Sequence, residues 1–293
     1  MLHITRIVVG LCAILAVAIS APAMAQTRVL QPLDDWNWGK TDEYCGLVRN
    51  FGDADSPVRM TLYSYGPQGN YRVVLTGADL PRNDDAVQQG SAAFGSETDL
   101  QDVHLIVGKR GDDGEIALQV HRGSGMSLAF AWAASDYDTP GSVPFDPLAI
   151  RFTVDTPRME PLTLAIDSMQ SALSDLATCE DQLFEGWDLA VADPRDIAAQ
   201  AKIENGVFVI RQLRLPPGIV INRLSQIMQF RLAIDAEGEL VDCALQAPNF
   251  GESVAEDMCR VFERQAEFTP ARDRIGMPVP SLLRVSYMMI IYD

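Results

Sequence analysis

The sequence predicts an α+β protein: a β-rich N-terminal domain with a packed C-terminal helix, followed by a ββαβ domain with a three-stranded antiparallel sheet. Three observations predict it. From about residue 40 to 155, short apolar runs alternate with clusters of glycine, proline, asparagine and aspartate, the pattern of antiparallel strands joined by turns. From Leu162 to Leu183 the apolar residues recur at helical spacing. From Met228 onward come two alternating runs, a helical pattern and a last apolar run. The 293 residues exceed the size of one ordinary domain and suggest two. Apolar residues at 47% and charged residues at 22% are ordinary for a globular chain with real cores.

Residues 1–25 are expected to be a signal peptide. Arg6 is their only ionised side chain, Ile7 to Ile19 is nearly all apolar, and Ala23 and Ala25 form a small-residue cleavage site before Gln26. The apolar run is short for a membrane span; a retained anchor is the competing reading. Cys12 lies within that run, not at its end, which disfavours a lipoprotein site. The formal net charge of −17 becomes one unit more negative without Arg6. Such acidity repels nucleic acid and anionic lipid. No later stretch reaches membrane-spanning length, so no span is expected after cleavage.

The N-terminal domain is assigned to residues 26–185. Residues 26–40 form an irregular opening segment anchored by Trp36 and Trp38. Tyr44 to Phe51 is the first strand, carrying Cys45. Val58–Tyr65 and Tyr71–Thr76 are strands around the turn cluster Gly66-Pro67-Gln68-Gly69-Asn70. Asp102–Arg110 and Glu115–Arg122 flank Gly111-Asp112-Asp113-Gly114, where Asp-Gly supplies the positive φ of a tight hairpin turn. Ser127–Ala133 and Ala149–Val154 are further strand candidates. The helix follows, with Pro161 near its start and Leu162, Ile166, Met169, Leu173, Leu176 and Leu183 on one face. Residues 186–205, polar and containing Asp193-Pro194, are the linker, with a short helix at Arg195–Ile203.

Four cysteines follow the signal: Cys45, Cys179, Cys243 and Cys259. An even number in an exported chain implies disulfides, and four cysteines allow three pairings. Cys179 lies three residues after Leu176, on the helix face that covers the sheet, which favours Cys45 of the first strand as its partner. Cys243 on an inward strand position and Cys259 on the covering helix make the second pair. Zinc is the competing reading, but there is no C-x-x-C, and neither His104 nor His121 is near a cysteine in sequence.

In the C-terminal domain, residues 206–293, Met228–Asp235 alternates with Phe230, Leu232 and Ile234 on one face. Ala236-Glu237-Gly238-Glu239 turns the chain. Leu240–Ala247 alternates again, with Val241, Cys243 and Leu245 inward. A helix from Glu252 to Glu267 presents Val254, Met258, Cys259, Val261 and Phe262. A loop with Pro270, Gly276, Pro278 and Pro280 precedes the last strand, Leu282–Tyr292.

Two motifs here carry a resemblance. Phe230-Arg231-Leu232-Ala233-Ile234-Asp235 with Glu237-Gly238-Glu239-Leu240-Val241-Asp242 resembles the opening hairpin of the TonB C-terminal domain. Phe268-Thr269-Pro270-Ala271-Arg272-Asp273 with Gly276-Met277-Pro278-Val279 resembles that family's loop before its last strand. The resemblance spans residues 205–293. It implies a protein-binding module of the Gram-negative periplasm, which pairs a sheet edge with a short peptide of an outer-membrane receptor. Backbone hydrogen bonds give affinity in that mode and alternate side chains give selectivity. The candidate edge is the last strand, with Leu282, Arg284, Ser286, Met288 and Ile290. The chain departs from a true energy transducer. It lacks a long proline-rich reach and has Leu215-Pro216-Pro217 and Pro248-Asn249-Phe250-Gly251 where the family has other residues. Energy transduction is kept as an alternative, as is self-association through the last strand.

No catalytic constellation is evident, and no cofactor is expected. His104 and His121 are expected to face each other across the hairpin, and Gly123-Ser124-Gly125 is not the nucleophile elbow of a serine hydrolase. The pairs Asp34-Asp35, Asp84-Asp85 and Asp112-Asp113 are sequence neighbours on turns, not two carboxylates spaced around a cleft. Asp112-Asp113-Gly114-Glu115 lacks the ligand spacing of a calcium loop. Gly108, Gly111 and Gly114 make no phosphate loop. A non-enzymatic protein is the expectation; a hydrolase with its site in the N-terminal domain is the second alternative.

Overall fold

The computed structural model describes residues 28–67, 71–78, 80, 87–95, 100–110, 115–121, 148–156, 159–213, 226–246 and 252–289. The expected signal peptide, the strand expected at 127–133, the hairpin turn at 111–114 and the Pro248–Gly251 turn lie outside them. The fold is α+β.

The N-terminal module is one large sheet. Its strands are β1 (Arg28–Leu30), β2 (Asn37–Lys40), β3 (Cys45–Asp53), β4 (Ser56–Ser64), β5 (Tyr71–Thr76), β6 (Val87–Phe94), β7 (Gln101–Arg110), β8 (Glu115–His121), β9 (Arg151–Thr156) and β10 (Met159–Ala165). They run in the order β1-β10-β9-β6-β7-β8-β5-β4-β3-β2. All neighbours are antiparallel except β1 with β10. The sheet curls until its ends meet: just after β1, Leu33 N donates to Asn50 O at 2.9 Å, and Gly52 N of β3 donates to Gln31 O at 2.8 Å. These bonds join the β1 end of the sheet to β3, beside β2, whose residues stay exposed. Arg49 staples this seam. It occupies the inward row of β3 with Cys45, Leu47 and Phe51, and donates from Nε to Asp34 O at 2.6 Å and from Nη1 to Ile166 O at 3.1 Å. Trp36 Nε1 donates to the same Ile166 carbonyl at 3.3 Å. The opening segment therefore differs from the irregular one expected: it supplies two strands and closes the sheet.

The strands expected at 44–51, 58–65, 71–76, 102–110 and 115–122 all form, within a few residues at each end. Two more were not foreseen. β6, Val-Gln-Gln-Gly-Ser-Ala-Ala-Phe, carries few strand-favouring residues; a Cβ at Gly90 would lie 2.6 Å from Asp155 O, so close packing against β9 selects glycine there. β10 covers the stretch expected to begin the helix. Leu162, Leu164 and Ile166 alternate inward, and Leu162 to Ile166 also fits an i, i+4 helical step, so the two periods coincide there. Pro161 lies at a register shift between Met159 and Leu162, where a strand tolerates a missing donor. The helix α1 is shorter, Gln170–Gly186, and buries Leu176, Cys179 and Leu183 against the sheet. Cys45 and Cys179 are bonded, with Cα atoms 6.2 Å apart.

Residues 186–205 are not a free linker, and the helix expected at 195–203 is absent. A 3-10 turn at Pro194–Asp196 leads into β11 (Ile197–Ala199) and β12 (Lys202–Ile203). These pair with two short strands of the loop that precedes the last strand, β16 (Ala271–Asp273) and β15 (Phe268–Thr269) respectively. Ala201 is fully buried in the C-terminal core. Proline and glycine in the loop hide this pairing from sequence. β17 (Pro278–Val279) pairs with β16 as well, and α2 (Gly206–Gln212) adds Val209 and Ile210 to the core.

The ββαβ unit forms as expected: β13 (Gln226–Ile234), β14 (Leu240–Leu245), α3 (Glu252–Gln265) and β18 (Ser281–Met289), with sheet order β14-β13-β18. Phe230, Leu232 and Ile234 meet Val254, Met258 and Phe262 of α3, with Phe230 and Phe262 ring centres 5.0 Å apart. Val241 is not inward. A register shift between Ala233 and Ile234 turns it out, 61% exposed, and brings Leu240 to the core. Cys243 and Cys259 are bonded, with Cα atoms 5.7 Å apart.

Replacing both Cys243 and Cys259 by Ala is expected to destabilise the protein by about 3 kcal/mol, and removing the Cys45–Cys179 bridge, whose loop is longer, by about 5 kcal/mol, in the loop-closure picture. Urea unfolding of the oxidised parent and the two double variants measures both.

Candidate partner-binding strand and the interdomain face

β18 pairs along its full length with β13, from Gln226 opposite Met289 to Ile234 opposite Ser281. Among the described residues no strand pairs with its other side. The strand expected to be an edge is therefore at the border of the sheet. Its side chains alternate. Leu283, Val285 and Tyr287 join the core under α3. Leu282, Arg284 and Ser286 point to the opposite face. Met288 lies opposite Ile227 in the ladder, and Ile290 lies outside the described residues.

That opposite face is covered by the N-terminal module. Arg231 and Arg284 stand directly across from each other on β13 and β18. Like charges so placed repel in an isolated sheet, and here carboxylates of the other module meet them. Arg231 is 6% exposed. Its Nη2 lies 3.4 Å from Glu43 Oε1 and 3.4 Å from Asp242 Oδ2, and its guanidinium stands 4.3 Å from the Trp187 ring centre. Trp187, just past α1, is fixed by Nε1 donating to Asp42 O at 2.9 Å. Gly66 approaches the indole so closely that a Cβ there would be 2.8 Å from Cη2. Gln246, following β14, donates from Nε2 to Glu43 O at 2.9 Å. Ala192 N donates to Pro280 O at 2.9 Å, immediately before β18.

Arg284 meets a second group. Glu180 of α1 is buried, accepts a hydrogen bond from the Ser64 hydroxyl, and acts with Tyr71 on Arg284. Burial pulls the Arg284 guanidinium down to about 10, with Glu180 and then Tyr71 opposing the fall. Burial raises Glu180 above the ordinary carboxylate range, offset in part by Ser64 and Arg284. Tyr71 is pushed up to about 12 by burial and then by Glu180. Burial also raises Glu43, with Arg231 opposing it most.

Of the residues singled out in sequence, the structure brings together the two disulfide pairs and sets Leu282, Arg284 and Ser286 along one face. His104 and His121 occupy paired positions of the β7–β8 ladder. Sequence reasoning missed Glu43, Glu180, Trp187 and Gln246, whose partners lie on another module. Arg231 and Arg284 carried a signal: each is a lone cation on an apolar alternating strand. Among the described residues no helix is long and apolar enough to cross a membrane, and the two disulfides fit an extracytoplasmic protein. No protein-family model matches the chain, and no curated protein or solved structure matches it with statistical significance.

Arg231→Ala is expected to cost about 2 kcal/mol, since it leaves the half-buried Glu43 and Asp242 carboxylates without their cation and removes the indole contact. Trp187→Ala should weaken the same interface. Denaturant unfolding followed by tryptophan fluorescence for the first variant and by circular dichroism for both measures this.

Proposed function

We propose that the chain is an exported, non-enzymatic protein of the periplasm whose C-terminal module holds a peptide or protein by strand addition along β18. The supporting observation is the position of β18, with one strand neighbour among the described residues. A strand at a sheet border offers a row of backbone donors and acceptors to an extended segment. The likeness of residues 205–293 to the TonB C-terminal domain motivates the same reading.

An added strand continues the alternation of β18. One row of its side chains runs on the α3 side, beside Leu283, Val285 and Tyr287. The other runs on the side of Leu282, Arg284 and Ser286, where the N-terminal module lies. Selectivity in this reading comes from both modules. Export through a cleaved signal at residues 1–25 supplies the oxidising compartment that the two disulfides require.

Two measurements test the proposal. Mass spectrometry of the exported protein is expected to find Gln26 as the first residue; an intact N-terminus argues for the anchored, energy-transducing alternative. Titration with extended peptides from outer-membrane receptors, followed by amide resonances, should shift Ser281–Met289 ahead of the rest of the chain. A folded protein whose β18 amides do not respond to any such peptide contradicts strand addition.

A further inference from the structure

The face that joins the two modules gathers more acid than base. Arg231 and Arg284 of the C-terminal sheet stand opposite Glu43 and Glu180 of the N-terminal module, and Asp242 of β14 shares Arg231. Three carboxylates thus face two guanidinium groups. The surrounding groups keep the imbalance. Asp42 acts on Glu43 and Asp181 on Glu180; Asp181 in turn pairs with Arg195 at 3.4 Å, and Arg72, 4.8 Å from the Tyr65 ring centre, is a further cation. Tyr71 and Tyr65 add phenols that burial keeps protonated, and Ser64 and Gln246 add neutral hydrogen-bonding groups. Glu180 is buried, and Glu43 Oε2 and Asp242 Oδ2 are buried oxygens without a hydrogen-bond partner among the described residues; a partly desolvated cluster with excess negative charge lowers its energy by taking up a proton.

We propose that this face is a proton-linked clamp: the closed arrangement binds more protons than the open one, so acidification from neutral draws the two modules together. The groups best placed to take the proton are Glu43 and Glu180. The Glu43 side chain is 31% exposed, but its Oε2 is buried without a hydrogen-bond partner among the described residues, beside Arg231 and Gln246 of the C-terminal module, so opening the interface returns that oxygen to water. Glu180 is buried, and burial outweighs the opposing pull of Arg284 on it.

The sign follows from linkage. A carboxyl whose folded-state affinity for protons is raised contributes stability that is complete below its unfolded value, 4.5 here, and is lost as pH rises through its folded value. Arg284, lowered to about 10, changes protonation only at alkaline pH. Tyr71, raised to about 12, does the same. Neither contributes a slope between pH 4.5 and 8. Asp193 has the opposite sign, because Arg195 holds its carboxyl below the usual range, and its effect falls below this window. The clamp is independent of strand addition, and its test uses no peptide.

The test is hydrogen-exchange protection of Ser281–Met289 and of residues 43–47 in the full oxidised chain from pH 8 to 5. General repulsion in an acidic protein gives a slope of the same sign, so the comparison is between variants. The parent is expected to gain protection on acidification, approaching about tenfold per pH unit for each proton linked. Glu43→Gln with Glu180→Gln should flatten the gain at these amides, whereas Glu256→Gln on the exposed face of α3 should leave it as in the parent. A double variant that keeps the parent's slope overturns the proposal. If the double variant does not fold, carboxyl titration of Glu43 and Glu180 in the parent decides: midpoints above the ordinary range that move with Trp187 fluorescence support the clamp, and ordinary midpoints overturn it.

Discussion

Coverage of the C-terminal sheet on both faces is the constraint on which the rest of the structure depends. β13 is flanked by β14 and β18 and presents Phe230, Leu232 and Ile234 to α3. Its other side chains, Gln229, Arg231 and Ala233, are buried too. An isolated three-stranded sheet under one helix leaves that second row in water. Here the N-terminal module covers it and adds Glu43 and Trp187 to Asp242 of β14, the partner that the sheet itself gives Arg231.

The N-terminal module is organised so that it can supply them. Closure of its sheet fixes β3 and β4 on one side and α1 on the other, and the Cys45–Cys179 bridge ties α1 to β3. Glu43 lies just before β3, Glu180 is beside Cys179, and Trp187 follows α1. The same bridge that holds the helix on the sheet thus sets the spacing of the carboxylates and the indole that meet Arg284 and Arg231. A buried ion pair adds little net stability against an apolar alternative. Arg231 meets Trp187 and Glu43 together, so its contacts depend on how the two modules dock.

Much of the fold was legible because it is local. Two turns show why. Asp235 Oδ1 accepts from the N–H groups of Glu237 and Glu239, and Asp273 Oδ1 accepts from those of Ile275 and Met277. Each turn carries glycine at positive φ three residues after the aspartate, Gly238 at 89° and Gly276 at 85°. The hairpin of β13 and β14 and the loop before β18 are therefore written in a few consecutive residues. β6 was not legible, because glycine, serine and alanine carry no strand signal until β9 lies against them. Val241 was misplaced because a single register shift reverses the side on which a residue points.

The sequence by itself determined the ββαβ unit and favoured both cysteine pairs among the three possible pairings, since periodicity and turn chemistry are properties of short segments and of residue types. Only the tertiary structure decided that residues 28–33 close the N-terminal sheet, that residues 197–203 belong to the C-terminal module, and that Arg231 and Arg284 face carboxylates instead of water. The physical reason is distance along the chain. Trp36 reaches a carbonyl 130 residues away and Arg231 a carboxylate 188 residues away, and such contacts exist only once both modules have assembled their surfaces.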